Sequence, residues 1–487
     1  MKFGTCSRVV LFSGLITAAS FSEVVRNPVN FGMALEQFQL FKMNQYQGTN
    51  FDLPVTMWRP TGWVFESATI EDRITLVFGL GATTFSLPRD SGTFPGSSSY
   101  KHELFPAVAL VQASGAYAWG DVKNPAAKVT FGQMPYKYNP AAKDFGEYLF
   151  RSTPYPNTVL NSPFDLVNAA QASILGSTLS LNFAGGNWKN DILITSATST
   201  FPLYDFSLAY VTSYKIGPMF ELGAGVNLFR LLPVQPEVTT YEGDALNAYF
   251  TDGNGKKYST NSDYYAGSPI DSAISKAVYD SIALNLSNHL SNPLAINVAM
   301  PAGVTDVNYY TLKGQMLMAR FSFDFMPILG NKMDLKLYGE WAMLGVKNYP
   351  VFYDKPADRM PVMVGLNIPT FGLLDGLNVE AEYWKNPYLN STFKTSYGGL
   401  ATPNFVPTSY GDLGLTSINT VVKDDDFKWS VSASKSFGGS FSITAKAAKD
   451  HLQVMQEMQA GFPGKSYGDV MSGKSSWYYV LRMQVAI

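Results

Sequence analysis

Apolar and polar positions alternate along most of this chain. In KWSVSASKSFGGSFSITAKAAK, residues 428–449, Trp429, Val431 and Ala433 alternate with Lys428, Ser430, Ser432 and Ser434. Beyond the Gly438-Gly439 break, Phe441, Ile443, Ala445 and Ala447 alternate with Ser442, Thr444, Lys446 and Ala448. A period of two is the signature of a strand with one greasy and one hydrophilic face. Read this way, the chain predicts strands at 31–43, 62–70, 73–85, 105–119, 127–136, 172–184, 190–200, 204–215, 218–230, 309–326, 332–346, 360–368, 374–386, 427–437, 440–451 and 475–487.

The gaps keep a two-beat rhythm. After every even-numbered strand comes a short turn: ED, GDVKNPA, GGNWK, IG, PILGN, PTFGL and GG. The other connections are mostly long, at 44–61, 86–104, 137–171, 231–308, 347–359, 387–426 and 452–474, with only 201–203 short among them. Tight turns at one end and long loops at the other predict an all-β fold, a transmembrane antiparallel up-and-down β-barrel of about sixteen strands. GWVFESATI alternates poorly, and without it and a partner the number falls to about fourteen. Both termini then lie on the short-turn, periplasmic side.

Parity sorts the faces. In 220–229, Phe220, Leu222, Ala224, Val226 and Leu228 oppose Glu221, Gly223, Gly225 and Asn227. Met333, Leu335, Leu337, Trp341 and Met343 oppose Asp334, Lys336, Glu340 and Ala342, and Trp477, Tyr479, Leu481, Met483, Val485 and Ile487 oppose Tyr478, Arg482 and Gln484. A closed barrel leaves no unpaired edge in lipid, so the apolar face is expected to meet acyl chains and the polar face a watery interior. Aromatic residues gather near strand ends (Trp63 and Phe65, Tyr117 and Trp119, Tyr309 and Tyr310, Tyr383 and Trp384, Trp477 to Tyr479), as interfacial girdles do.

Composition agrees. Charged residues are only 15% of the 487, against a globular norm of about a quarter, while aromatics reach 14%. After the N-terminus no run of about 18 apolar residues offers a spanning helix, so the membrane signal must be carried by strands. Lys2 and Arg8, the apolar VVLFSGLITAAS and the small residues of AASFS read as an export signal over 1–22, followed by a short periplasmic segment 23–29 and the barrel over 30–487. Removing Lys2 and Arg8 takes the net charge from −2 to −4, which gives no footing for nucleic acid. Cys6 falls inside that signal, so no disulfide is expected to hold the exported chain.

Candidate chemistry is sparse. There is no phosphate loop, HExxH, cysteine pair or G-x-S-x-G elbow, and no cofactor is expected. TDGNGKK at 251–257 and KDDDF at 423–427 lack the spaced ligands of a calcium loop. His102, His289 and His451 all fall on the outer side; His451, beside Asp450, is the first pair to test for catalysis. In the longest loop, SPIDSAISKAVYDSIALNLSNHL (268–290) spaces Ile270, Ile274, Val278, Ile282, Leu286 and Leu290 four apart after an S-x-x-D start. That predicts a helix, either a lid over the mouth or a segment dipping into the lumen, with the lid preferred.

In rhythm and closure residues 30–487 resemble the Gram-negative general porins and related outer-membrane channel barrels. The likeness departs in two places. WYYVLRMQVAI ends on Ile487 where such barrels end on an aromatic residue, and the largest insertion is the fifth loop, whereas porins fold the third into the lumen. No long segment precedes the first strand, which sets the pattern apart from plugged transporters. Parity places Glu340, Glu380 and Glu382 inward on one side, and Lys428, Lys446 and Arg482 inward on the other, with Arg73 near them once the barrel closes. As acidic and basic stripes these would set a transverse field across a pore, as the resemblance implies; as mutual ion pairs they would fill a closed lumen. The resemblance implies a passive channel for small hydrophilic solutes, sugars among them, with outer-membrane lipid and the insertion machinery as partners and room for a homo-oligomer. The alternative is an adhesion barrel whose loops, above all 387–426, bind an external polymer. A soluble secreted β-protein would need a second sheet to cover the apolar faces.

Overall fold

A computed structural model describes residues 24–41, 55–89, 101–121, 124–150, 172–196, 204–234, 249–252, 257–259, 304–308, 313–329, 334–346, 356–385, 426–450, 453–455, 466–469 and 475–487. The candidate helix 268–290, His289, His451 and most of the stretches TDGNGKK (251–257) and KDDDF (423–427) lie outside them.

The main sheet has seventeen strands; sixteen close on themselves, and Val24–Arg26 pairs only with the end of one of them, from Val24 opposite Ile70 to Arg26 opposite Ala68. They are β1 (Asn30–Phe41), β2 (Val55–Ile70), β3 (Ile74–Arg89), β4 (Lys101–Gly120), β5 (Pro125–Tyr136), β6 (Ala172–Phe183), β7 (Trp188–Ser196) and β8 (Phe206–Ile216). The second half is β9 (Phe220–Leu232), β10 (Gly314–Asp324), β11 (Lys336–Leu344), β12 (Val362–Asn367), β13 (Gly376–Tyr383), β14 (Phe427–Phe437), β15 (Phe441–Lys449) and β16 (Trp477–Ala486). Each pairs antiparallel with its neighbours, and β1 closes on β16 from Gly32 opposite Ala486 to Phe41 opposite Trp477. Closure pairs every strand's backbone groups on both sides, which removes the edges. Short sheets stand in two long connections, Tyr249–Asp252 with Lys257–Ser259 and Val304–Asn308, and Gln453–Met455 with Ser466–Asp469.

The strand GWVFESATI, weak in alternation, is the lower part of β2, which extends upward through VTMWRPT to sixteen residues. The turns at one end are tight. Gly438 and Gly439 connect β14 to β15 with φ of 61° and 81°, the left-handed pair that hairpin turns require. The opposite connections are long except 197–205.

The two faces are unlike. On β10, Gln315, Leu317 and Ala319 are exposed while Met316, Met318 and Arg320 are buried. Val108, Phe131, Ile194, Leu222, Val364 and Val431 stand exposed on the outer face. The aromatic clusters divide between the faces. Trp119, Tyr383, Trp477 and Tyr479 face out, whereas Trp63, Trp384 and Tyr478 are buried inside. Neighbouring residues of a strand point to opposite faces, so an adjacent aromatic pair cannot lie wholly in a girdle.

Candidate functional site: the barrel interior

The interior holds an apolar core where the alternation predicted water. The start of the third long connection, residues 137–150 (KYNPAAKDFGEYLF), folds inward instead of continuing β5. Tyr138, Ala141, Ala142, Phe145, Tyr148 and Leu149 pack there with inward side chains of the wall, among them Leu193, Val211, Met316, Met318, Tyr338 and Met363. β10 carries the readable signal: in its upper half the inward Met316 and Met318 alternate with the outward Leu317 and Ala319, so the inner face there is apolar as well.

A segment without regular structure carries backbone N–H groups that need acceptors once buried. Wall glutamates supply them. Glu380 accepts from the backbone N–H of Lys143 at 2.6 Å, Asp144 at 2.7 Å and Phe145 at 3.0 Å, and from the Tyr338 hydroxyl at 2.6 Å. Glu340 accepts from the N–H of Glu147 and Tyr148, both at 3.0 Å, from the Tyr138 hydroxyl at 2.6 Å and from Asn139 Nδ2 at 2.8 Å. Glu382 accepts from the Tyr148 hydroxyl at 2.9 Å. Within the segment, the Glu147 carboxylate takes the N–H groups of Tyr138 and Asn139. On β9, Asn227 donates to the Leu149 carbonyl at 2.9 Å.

Local conformation makes this possible. Gly146, at φ 83°, turns the chain so that the next two N–H groups meet Glu340; a Cβ there would sit 3.0 Å from the Glu340 carboxylate. Gly365 leaves room for the Tyr338 ring, which a Cβ would meet at 2.2 Å, and so lets that hydroxyl reach Glu380. Burial first, then the Glu340 and Glu147 carboxylates, push the Tyr138 phenol well above its ordinary value, so it remains a donor at physiological pH.

The basic residues have acidic company. Lys446 lies 2.8 Å from Asp144 of the inward segment and 2.8 Å from Asp450. Tyr478 donates to that same Asp450 at 2.7 Å, and Lys428 donates to its backbone carbonyl at 3.3 Å. Arg482 pairs at 3.3 Å with Glu36 of β1, which Arg59 of β2 also grips. Ser430 donates to Asp144.

These contacts differ from two facing stripes. Glu340, Glu380 and Glu382 are buried beneath the inward segment, and Lys446 and Arg482 are matched by acids. Arg73 is not brought to them. It stands exposed in the turn between β2 and β3, outside the strand, with its backbone N–H bonded to the Ile70 carbonyl. Of the matching acids, Asp144 lies off the alternating segments, while Glu36 and Asp450 lie within 31–43 and 440–451, where local alternation does not say which base each one meets.

Sixteen antiparallel strands, closure of the first on the last, and a third connection folded inward define a closed up-and-down β-barrel with an internal segment. Solved structures to which the chain is similar include OprB of Pseudomonas putida, at 9% identity and a TM-score of 0.46, over 95% of this chain and 94% of that one. OmpF of Salmonella typhi in complex with daunomycin follows at 10% identity and a TM-score of 0.42, over 95% and 97%. A triple mutant of the Rhodopseudomonas blastica porin gives 7% identity and 0.37, over 95% and 100%. No family model and no curated protein matches the chain. The architecture therefore rests on the chain's own strand order and register.

Proposed function

We propose that this chain is a bacterial outer-membrane channel through which small hydrophilic solutes, sugars among them, diffuse passively. One observation carries the reading: inside a barrel whose outer face is apolar, the segment 137–150 is fastened to the wall by buried carboxylates. A connection merely covering the mouth would need no such anchors. Bound along the wall, it narrows the interior while leaving the sheet closed, and charged or polar groups at a constriction select what passes. Catalysis is not part of the reading, since Asp450, the acid beside His451, is committed to Lys446 and Tyr478.

The test is conductance in planar bilayers together with swelling of liposomes in sugars of graded size. Discrete channel openings and a size cut-off are expected. A folded, inserted protein that neither conducts nor admits sugars would overturn the reading in favour of a surface-binding barrel.

A further inference from the structure

A second set of charges lies at the short-turn mouth, away from the inward segment's anchors. Lys128 of β5 is opposite Ser180 of β6, Lys189 of β7 is opposite Asn182 of β6, and Lys215 of β8 is opposite Glu221 of β9. Parity turns all three inward. Trp188, Tyr214 and Ile216 beside them face outward, and Asp191 and Val211, two and four residues along the same strands, lie on the inner side. Lys189 is the second residue of β7 and Lys215 the last but one of β8, while Lys128 is the fourth of β5, so all three sit close to the turns 121–124, 184–187 and 217–219. Each lysine is exposed, and no carboxylate among the described residues lies within ion-pair distance of it.

The neighbouring acids do not cancel this charge. Glu221 gives its carboxylate to Arg320 at 2.6 Å, and Asp191 accepts the Tyr136 hydroxyl at 2.9 Å. With Arg320 counted, four cations stand against these two carboxylates on this stretch of the inner wall, since Asp324 at the end of β10 is taken up by Lys336 and Arg230 of β9 by Asp205. Across the barrel, the inner faces of β14 and β15 at this end carry Ser434, Ser436, Ser442 and Thr444, which are neutral. The one charged pair close to that end on β10 and β11, Lys336 and Asp324 at 3.8 Å, balances itself. A one-signed arc facing a neutral wall leaves a net field in the vestibule, and low-dielectric walls focus it.

The geometry points to Lys128, Lys189 and Lys215 as an anion-collecting arc at the periplasmic mouth, biasing the channel toward small solutes that bear a carboxylate or a phosphate ester. This deepens the channel reading and rests on it. The arc lies apart from the residues that hold segment 137–150, so its substitution leaves that segment's anchors in place.

The test is the reversal potential of the full-length protein in a potassium chloride gradient, measured for wild type, for Lys128→Gln with Lys189→Gln and Lys215→Gln, and for the matching triple Arg variant. Wild type should prefer chloride; the Gln variant should lose that preference several-fold, and the Arg variant should keep it. The difference should be large near 10 mM salt and small near 1 M, where screening shrinks from about 30 Å to about 3 Å. Wild type and Gln variant conducting with the same selectivity would overturn the arc while leaving the channel standing. A wild type that does not conduct would overturn the channel and the arc with it.

Discussion

Asp144 and Lys446 meet at 2.8 Å and join the inward segment after β5 to β15. The contact is mostly buried, and Lys446 is held from its other side by Asp450. Losing Asp144 therefore leaves the lysine with one acid instead of none. In a cycle of Asp144→Asn and Lys446→Met, the coupling energy should be about 1–2 kcal/mol, within the range for contacting charged groups. Chemical unfolding in detergent reads it, and a coupling near zero would mean that Asp450 alone holds Lys446.

The wall glutamates should protect particular amides. Glu380→Gln replaces one acceptor oxygen by a donor facing the N–H groups of Lys143, Asp144 and Phe145. Opening of 143–145 should become easier by about 2–4 kcal/mol, because hydrogen bonds to a charged group are lost. Glu340→Gln should do the same at 147 and 148 and spare 143–145. Hydrogen exchange read by mass spectrometry distinguishes the two. Equal loss of protection throughout the segment in both variants would show that it opens only as a unit.

The sheet was legible in the sequence because alternation is a local property: a strand half in one solvent and half in another writes its period into neighbouring residues. The turns were legible for the same reason. The interior was not, since what covers an inward side chain is decided by residues far along the chain. Glu340 lies 193 positions from the Glu147 amide it accepts, and Glu380 lies 236 from that of Asp144. Read singly, they look like pore charges. The inner methionines of β10 and the run DFGEYLF were the available clue, because an inward apolar face needs an apolar partner. The third connection, with its aromatic residues and Gly146, is held inside; the largest, the fifth, for which a lid helix was the preferred expectation, lies mostly outside the described residues.

Gly365 should be intolerant of any side chain. Gly365→Val puts atoms where the Tyr338 ring lies and drives its hydroxyl from Glu380 and from Asn378, which donates to it at 2.7 Å. Tyr338→Phe removes the same hydrogen bonds without moving the ring. Both variants should loosen 143–145 in hydrogen exchange, with the Val variant worse because overpacking adds about 1–3 kcal/mol. A Val variant as well protected as wild type would mean that Tyr338 finds another rotamer that still reaches Glu380.

The outer face can be tested with adjacent residues of one strand. Val431 stands near the middle of β14, opposite Val379 and Ala447, with its side chain outward. Ser432 follows it and points inward, donating to Asn378 at 3.3 Å. In a bilayer Val431→Arg places a charge among acyl chains near the midplane, at a cost of about 2–4 kcal/mol. Ser432→Arg places the same charge on the polar inner side, where water and Asn378 can receive it. Leu335, also outward by parity, is a milder site: it lies just before β11, its carbonyl accepting from the Phe325 N–H beside the turn, close to the interface where the cost falls to about 0–1 kcal/mol. Folding into liposomes, followed by the heat-dependent gel shift of closed barrels, should therefore rank Val431→Arg well below Leu335→Arg and Ser432→Arg. Equal folding of all three would mean that the outer face of β14 does not meet lipid; failure of Ser432→Arg alone would mean that the inner side of that strand is too tightly filled to admit the side chain.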